Sequence, residues 1–186
     1  MNLEVSLVSR KPERRADAPA AVYVITRADI ERSPALTVPE LLRNVPGLNV
    51  ARIDASKWSI TIRGFSGQLA RKLQVLVDGR SIFTPGFSGV TWEDHFMPLD
   101  LIERIEVIRG PGGATWGANA VNGIINIITR SAADSQGGAL VLGAGTELES
   151  MGTLTYGGKL STGSHYRAYL HAIGVRESDG ILAQEK

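Results

Sequence analysis

Apolar residues along the first two thirds of the chain form short runs that are separated by proline and glycine. Residues 21–25 and 104–109 are rich in β-branched side chains and predict strands. Residues 58–63 alternate, which predicts a strand with Ile60 and Ile62 on one face and Ser59, Thr61 and Arg63 on the other. Residues 124–129 are almost all apolar, which predicts a central strand covered on both faces.

Two short helices are predicted between these strands. Thr26 with Asp29, and Thr37 with Glu40, have the spacing of a capping box, in which each side chain binds an otherwise unpaired amide of the first turn. Prolines end both helices, at Ser33-Pro34 and at Pro46-Gly47. Further along, Asp78-Gly79 predicts a tight hairpin turn, and residues 98–102 predict a single helical turn.

The pattern changes after Ser131. Three segments, 138–145, 153–160 and 166–175, are separated by residues 146–150 and by a turn at 161–164. Leu154 and Tyr156 alternate with threonines, which is typical of a strand between lipid and a polar lumen but equally of a soluble antiparallel sheet. We therefore predict an α+β fold: a flexible arm over 1–17, a small mixed-sheet domain with short helices over 18–131, and antiparallel strands over 132–186.

Composition excludes several function classes. Hydrophobic residues make up 43% and charged residues 21%, as in folded domains rather than disordered tails. Twenty basic and nineteen acidic residues give a net charge of +1 with no basic stripe, so we expect no nucleic-acid partner. The absence of cysteine excludes disulfides and thiol chemistry. The start lacks a secretory signal and the end lacks a capping element, so we expect both ends to be cut from a longer exported protein.

No motif in the sequence predicts catalysis. Residues 110–113 are rich in glycine, but the Lys-Ser/Thr of a phosphate-binding loop does not follow them, so they predict a turn. Glu93, Asp94 and His95 are adjacent on a loop, and three neighbouring residues rarely converge on one metal. We expect no catalytic residue, no metal site and no cofactor.

Six segments, in this order and spacing, carry a resemblance to a known family. They are 21–26, 38–47, 62–65, 77–80, 102–111 and 116–129. Together they resemble the plug domains of TonB-dependent outer-membrane receptors, and the resemblance covers roughly residues 4–176. It implies a plug inside an outer-membrane barrel of about 22 strands, whose remaining strands are a partner that this chain lacks.

The resemblance also implies a transport function. Such receptors gate energised uptake of a scarce ligand, for example an iron–siderophore, haem or cobalamin, and the periplasmic protein TonB pulls the plug's N-terminal arm. The implied location is the outer membrane of a Gram-negative cell, with the plug in the lumen and the arm facing the periplasm. The implied protein is a receptor and not an enzyme.

Site residues follow from the same resemblance. Arg63 and Arg109 are expected to face glutamates of the barrel wall, and Glu103 and Glu106 could serve as local partners instead. Ligand contacts are expected from the loops 52–57, 66–72 and 83–92, with polar groups and aromatic platforms at Arg52, Asp54, Lys57, Gln68, Arg71, Phe83, Phe87 and Trp92. The aromatic residues could equally serve only to pack the loops.

The TonB-binding segment is expected in the arm, at Glu4, Val5, Ser6, Leu7 and Val8, where alternating residues suit pairing with a sheet edge. This segment departs from the family's usual box because Ser6 stands where threonine is common and Ser9 where alanine is common.

A free-standing periplasmic binding or signalling module with a plug-like fold is the alternative to a receptor plug. The strands after residue 131 argue against it, because an open sheet edge is an aggregation liability. Because an incomplete barrel cannot satisfy its backbone groups in lipid, we expect that this chain alone does not insert into a membrane. Its strands would then pair with another copy, pack on the plug or be poorly ordered. A reading frame continuing beyond Lys186 would favour the receptor.

Overall fold

The structure is a computed structural model, and it shows two units. It describes the backbone of residues 4–5 and 13–14 and residues 21–54, 56–62, 64, 72–86, 89–112, 116–117, 119–146 and 148–176. Unit 1 comprises Met1–Ala51 and Trp58–Thr129, and unit 2 comprises Arg52–Lys57 and Arg130–Lys186.

Unit 1 is built on a five-stranded mixed sheet. Its strands are β3 (Val22–Ile25), β6 (Leu73–Val77), β7 (Arg80–Ser81), β8 (Ile102–Arg109) and β9 (Gly123–Thr129). The order across the sheet is β3-β8-β9-β6-β7, and every pair is antiparallel except β6 with β9. β9 lies in the centre and is buried along its first five residues, so the predicted central strand is confirmed.

Both predicted helices form. Helix α1 (Arg27–Arg32) begins after Thr26, whose hydroxyl accepts a hydrogen bond from the Asp29 amide while the Asp29 carboxylate accepts one from the Thr26 amide. It ends at Ser33, because the following proline cannot continue a helix. Helix α2 (Val38–Leu42) begins with Glu40 accepting hydrogen bonds from the amides of the two residues that precede the helix.

Shorter elements connect the sheet and the helices. Strands β4 (Leu48–Arg52) and β5 (Trp58–Ile62) form a two-stranded sheet, and two 3₁₀ turns lie at Trp92–Asp94 and Leu99–Leu101. The second of these is the predicted helical turn. β1 (Glu4–Val5) pairs antiparallel with β2 (Glu13–Arg14). Thr61 is buried as well as Ile60 and Ile62, so both faces of β5 are covered.

Two apolar clusters cover opposite faces of the main sheet. The larger cluster joins the helices and β5 to the odd-numbered positions of β6, β8 and β9, including Val75, Ile105 and Ile125. The smaller one contains Val22, Val24, Leu76, Ile108, Ala120 and Ile124. Burial on both faces explains why β6 and β9 have near-continuous apolar sequences rather than alternating ones.

Unit 2 is a three-stranded antiparallel sheet with the order β10-β11-β12. Its strands are β10 (Gly137–Gly143), β11 (Leu148–Lys159) and β12 (His165–Val175). All three predicted strands form, but β11 begins at Leu148, inside the segment predicted as a separator. A register shift between Leu148 and Ser150 accommodates this early start.

Candidate functional site

The Asp78-Gly79 turn of unit 1 is tied to the central strand by side chains. Both turn residues have positive φ, 48° and 77°, which matches the hairpin turn predicted between β6 and β7. The Asp78 carboxylate accepts hydrogen bonds from the amide and the hydroxyl of Thr129, each at 2.8 Å. The side-chain oxygen of Asn126 accepts one from the Gly79 amide at 3.2 Å. Two of the family-like segments, 77–80 and 116–129, therefore hold each other in place.

Arg109 ties the end of β8 to the Pro46-Gly47 turn. Its Nη1 donates to the Pro46 carbonyl oxygen at 3.1 Å, beside Gly47, which has a φ of 84°. Its Nε is buried and has no hydrogen-bond partner among the residues that the structure describes. The guanidinium therefore has donors to spare, and Arg63 lies outside the described residues.

Glu103 and Glu106 do not act as local partners of Arg109. Glu106 is fully buried and lies 2.9 Å from the Nε of Arg104, on the sheet face opposite to Arg109. The two residues of this pair are two apart in β8, so their side chains share one face. Glu103 is exposed and forms no ion pair among the described residues. Neither glutamate therefore pairs with Arg109 in the described part of the chain, and a pairing with Arg63 stays a prediction.

A row of buried polar side chains, which was not predicted from the sequence, crosses the face of the main sheet that carries the smaller apolar cluster. Glu106 lies directly opposite Asn126 in the register, and Gln74 on β6 donates from Nε2 to the Ser81 hydroxyl at 2.7 Å. An open groove of about 560 Å³ is lined by Gln74, Asn126, Arg104 and neighbouring residues. The signal in the sequence was Glu106 between the apolar neighbours Ile105 and Val107.

The residues expected to contact the ligand differ in how far their side chains are exposed to solvent. At the tip between β4 and β5, the Arg52 Nε donates to the Asp54 carbonyl oxygen at 3.3 Å, and the Lys57 Nζ lies 3.8 Å from the Asp54 carboxylate. Phe83 is half-buried, whereas Trp92 is only 4% exposed and belongs to the larger apolar cluster. The packing alternative thus describes Trp92. Gln68, Arg71 and Phe87 lie outside the described residues.

The two faces of the strand sheet in unit 2 differ in chemistry. Leu140, Leu154 and Leu170 lie opposite one another in the register and form a row across one face, with exposed fractions of 64%, 53% and 70%. Tyr156 and Tyr166 pack on the same face nearer the 161–164 turn, with ring centroids 6.3 Å apart. We call this surface the apolar face.

The opposite surface, which we call the polar face, carries hydrogen-bonding side chains among apolar ones such as Val141, Met151 and Ile173. Thr153 is buried there, and its hydroxyl lies 2.8 Å from the Nδ1 of His171. Arg167 belongs to the same face, since it is an even number of residues from His171.

Two other expectations concern the arm and metals. Glu4 and Val5 form β1, whereas Ser6, Leu7 and Val8 lie outside the described residues. Within the described part of the chain, no three metal-binding side chains of the histidine, aspartate and glutamate type come together. None of the helices described here has the length and apolar character needed to cross a membrane.

Comparison with known proteins identifies the family. The family model of the TonB-dependent receptor plug domain matches residues 14–124. The vitamin B12 transporter BtuB of Vibrio vulnificus is 35% identical over 147 residues, which are 78% of this chain and 23% of the transporter. The chain thus spans about a quarter of the length of this relative.

Solved structures share the fold. The ferripyoverdine receptor of the outer membrane of Pseudomonas aeruginosa, solved with ferripyoverdine, has a TM-score of 0.70 at 20% identity, covering 91% of this chain and 22% of the receptor. The siderophore receptor PiuA of Acinetobacter baumannii has a TM-score of 0.65 at 24% identity, covering 91% of this chain and 23% of PiuA. From the family match over residues 14–124, the chain belongs to the TonB-dependent receptor plug domain family.

Proposed function

We propose that this chain is the plug and the first barrel strands of a TonB-dependent receptor in the outer membrane of a Gram-negative cell. In this proposal unit 1 gates energised uptake of a scarce ligand such as an iron–siderophore, haem or cobalamin, and the protein is a transporter rather than an enzyme. The observation that carries the proposal is the apolar face of unit 2, which follows directly on a sequence of the plug family.

The apolar face has the chemistry of a surface in contact with lipid. A soluble sheet of this size would bury a row of three leucines, because exposed apolar patches of this kind mark membrane or protein contacts. β11 and β12 have 12 and 11 residues, and a tilted strand needs about 9–11 residues to cross the hydrocarbon core. Tyrosines near the strand ends suit the membrane–water interface.

The polar face suits the lumen of the same barrel. Its threonine, histidine and arginine side chains can form hydrogen bonds with water or with the surface of a plug. Lipid hydrocarbon offers no such partner. The alternation between the two faces is the pattern expected of strands in outer-membrane barrels. We propose that further strands, beyond those of this chain, complete the barrel.

Arg109 is proposed as a contact between plug and barrel. Its guanidinium is half-buried and uses one donor on the Pro46 carbonyl oxygen, with the buried Nε unpaired. A carboxylate from the barrel wall would satisfy these donors in a charge-assisted pair. Arg63 is proposed for the same role, with Glu103 as an exposed contact and Glu106 as an internal support of the plug.

Ligand binding is proposed for the hairpin tip with Arg52, Asp54 and Lys57, and for the loops that carry Gln68, Arg71, Phe83 and Phe87. Trp92 would support its loop from within the core. TonB binding is proposed for residues 4–8, since an extended segment can add a strand to a sheet edge.

Uptake in cells tests this proposal. The receptor that contains this chain would be expressed in a Gram-negative host without its own uptake receptors, with TonB present or deleted, and offered labelled cobalamin, haem and ferric siderophores in turn. We expect one ligand to accumulate only when TonB is present. The Arg109→Ala variant should lower that uptake, whereas Arg80→Ala, at an exposed arginine of the same unit, should not. Accumulation that is equal without TonB, or no accumulation of any ligand, would refute the proposal.

A further inference from the structure

Residues 130–136, which join β9 to β10, fold into a turn closed by its own hydrogen bonds. The Ser135 hydroxyl donates to the Ser131 carbonyl oxygen at 2.8 Å, and the Asp134 amide donates to the same oxygen at 3.1 Å. The Arg130 Nη2 donates to the Asp134 carbonyl oxygen at 2.7 Å. The segment is therefore a small structured element, which we call the junction turn.

Arg167 of β12 holds the junction turn on the polar face. Its Nη1 donates to the Arg130 carbonyl oxygen at 2.8 Å and to the Ser135 hydroxyl at 3.1 Å. A guanidinium donor makes stronger hydrogen bonds than a neutral group does. The Arg167 side chain thus binds both the first residue of the junction turn, Arg130, and a residue near its end, Ser135.

Gly157 of β11 leaves the space into which the backbone of the junction turn packs. It lies directly opposite Arg167 in the register, and a Cβ at this position would collide with the Ser135 carbonyl oxygen. The close approach of the two backbones therefore depends on the absence of a side chain at position 157. The glycine and the arginine come from neighbouring strands and act on the same turn.

The junction turn begins directly after the last residue of unit 1 along the chain. Thr129 is the last residue of unit 1 and of β9, and Arg130 is the first residue of this part of unit 2. Beyond the junction turn the chain enters β10, whose first pair is Gly137 with Gly157. β10 pairs with β11 alone among the described strands, so tension at residue 137 would open its hydrogen bonds one at a time.

We propose that the junction turn is an anchored tether, with Arg167 as its positioning residue. Tension applied to the N-terminal arm unravels unit 1 from its end and stops at Thr129, because Arg167 bears the load before β10 does. Unit 2 then keeps its register while unit 1 is displaced, and unit 1 can refold from a fixed point. The inference rests on the proposed function for the source of the tension.

Hydrogen exchange tests whether Arg167 holds the turn. The full chain in detergent micelles would be compared with its Arg167→Ala, Arg167→Lys and Arg176→Ala variants. Arg176 is the matched control, because this exposed arginine just beyond β12 binds Glu149 and no other residue among those described. We expect exchange in residues 131–136 to rise at least about tenfold in both Arg167 variants, since each loses one or both of the charge-assisted bonds, and to remain unchanged in Arg176→Ala. A turn that exchanges freely in the unchanged protein, or equally in all variants, would overturn the proposal.

Pulling on single molecules tests the load-bearing role. With handles at residue 21 and at the C-terminus, roughly 110 residues should be released, about 380 Å of chain, followed by a plateau before the strands open. Arg167→Ala should abolish the plateau, whereas Arg176→Ala should keep it. The same plateau in both variants would contradict the anchor. Hydrogen exchange and pulling do not depend on uptake. If the transport assay failed while the plateau was present, the proposed function would be refuted, but the anchoring of the junction turn by Arg167 would still be supported.

Discussion

Replacement of Gly123 by alanine tests the packing of the central strand in unit 1. Gly123 is the first residue of β9, and a Cβ added there would lie 2.6 Å from the Ile108 carbonyl oxygen and 2.5 Å from the Ile62 Cδ1. Carbon and oxygen normally approach to about 3.3 Å. The isoleucine side chain can rotate away, but the carbonyl oxygen belongs to the backbone of the neighbouring strand. The two central strands would have to separate by several tenths of an ångström.

The cost of this separation can be estimated. Forcing extra atoms into a packed core costs roughly 1–3 kcal/mol. For a unit of about a hundred residues, 2 kcal/mol corresponds to a fall in Tm of roughly 8–16 °C. All three tryptophans, at positions 58, 92 and 116, belong to unit 1, so tryptophan fluorescence during heating reports this unit alone.

Gly86→Ala is the matched control for the Gly123 experiment. A Cβ at Gly86 would have no heavy atom within 4 Å, and this glycine does not have a positive φ. We expect its Tm to remain within about 2–3 °C of the unchanged protein, as for surface substitutions in general. If Gly123→Ala melted as high as Gly86→Ala, the close packing of β8 against β9 described here would be wrong.

Two further predictions concern unit 1. The hydroxyl of Thr26 is the main cause of the lowered pKa of Asp29, with the Thr26 amide and Arg32 adding to it. A carboxyl group whose pKa is lowered by folding stabilises the fold above its unfolded pKa, near 3.9, and this stabilisation is lost as the pH falls through the lower folded pKa. Acid titrations of tryptophan fluorescence should therefore show a weaker pH dependence below pH 4 in Asp29→Asn, and an identical dependence would contradict the capping role. Asp78→Ala should lower the free energy of unfolding by about 1–2 kcal/mol in thermal melts. Asp78→Asn should retain most of the stability, because asparagine tolerates positive φ and can still accept a hydrogen bond from the Thr129 amide. Equal losses of stability in both variants would show that the Asp78 side chain does not anchor the turn.

Local signals in the sequence were sufficient to predict the helices and turns. The capping boxes, the proline stops and Asp78-Gly79 each specify a conformation through neighbours within four residues. The central position of β9 was predictable too, because its unbroken apolar run requires cover on both faces. These features need no knowledge of distant contacts.

Features that depend on distant residues were not predictable. The burial of Thr61 is one of them, because alternation within β5 does not report what packs on its second face. Glu106 was offered as a partner for Arg109, but a strand places residues three apart on opposite faces. Arg104, two positions away, was the partner that strand geometry favours. Gly157 and Arg167 lie together beside the junction turn only because of the register between β11 and β12, and no short motif specifies that register.

The difference in lipid exposure between neighbouring positions on β11 is the sharpest test of the proposed barrel strands. The chain contains no cysteine, so a single fluorescent label can be placed through Leu154→Cys on the apolar face or Thr155→Cys on the polar face. In the receptor reconstituted in bilayers, quenchers attached to lipid tails should quench the label at position 154 strongly and the label at position 155 weakly. Equal quenching at both positions, or quenching of both by aqueous iodide alone, would contradict the proposal that these strands separate lipid from an aqueous lumen.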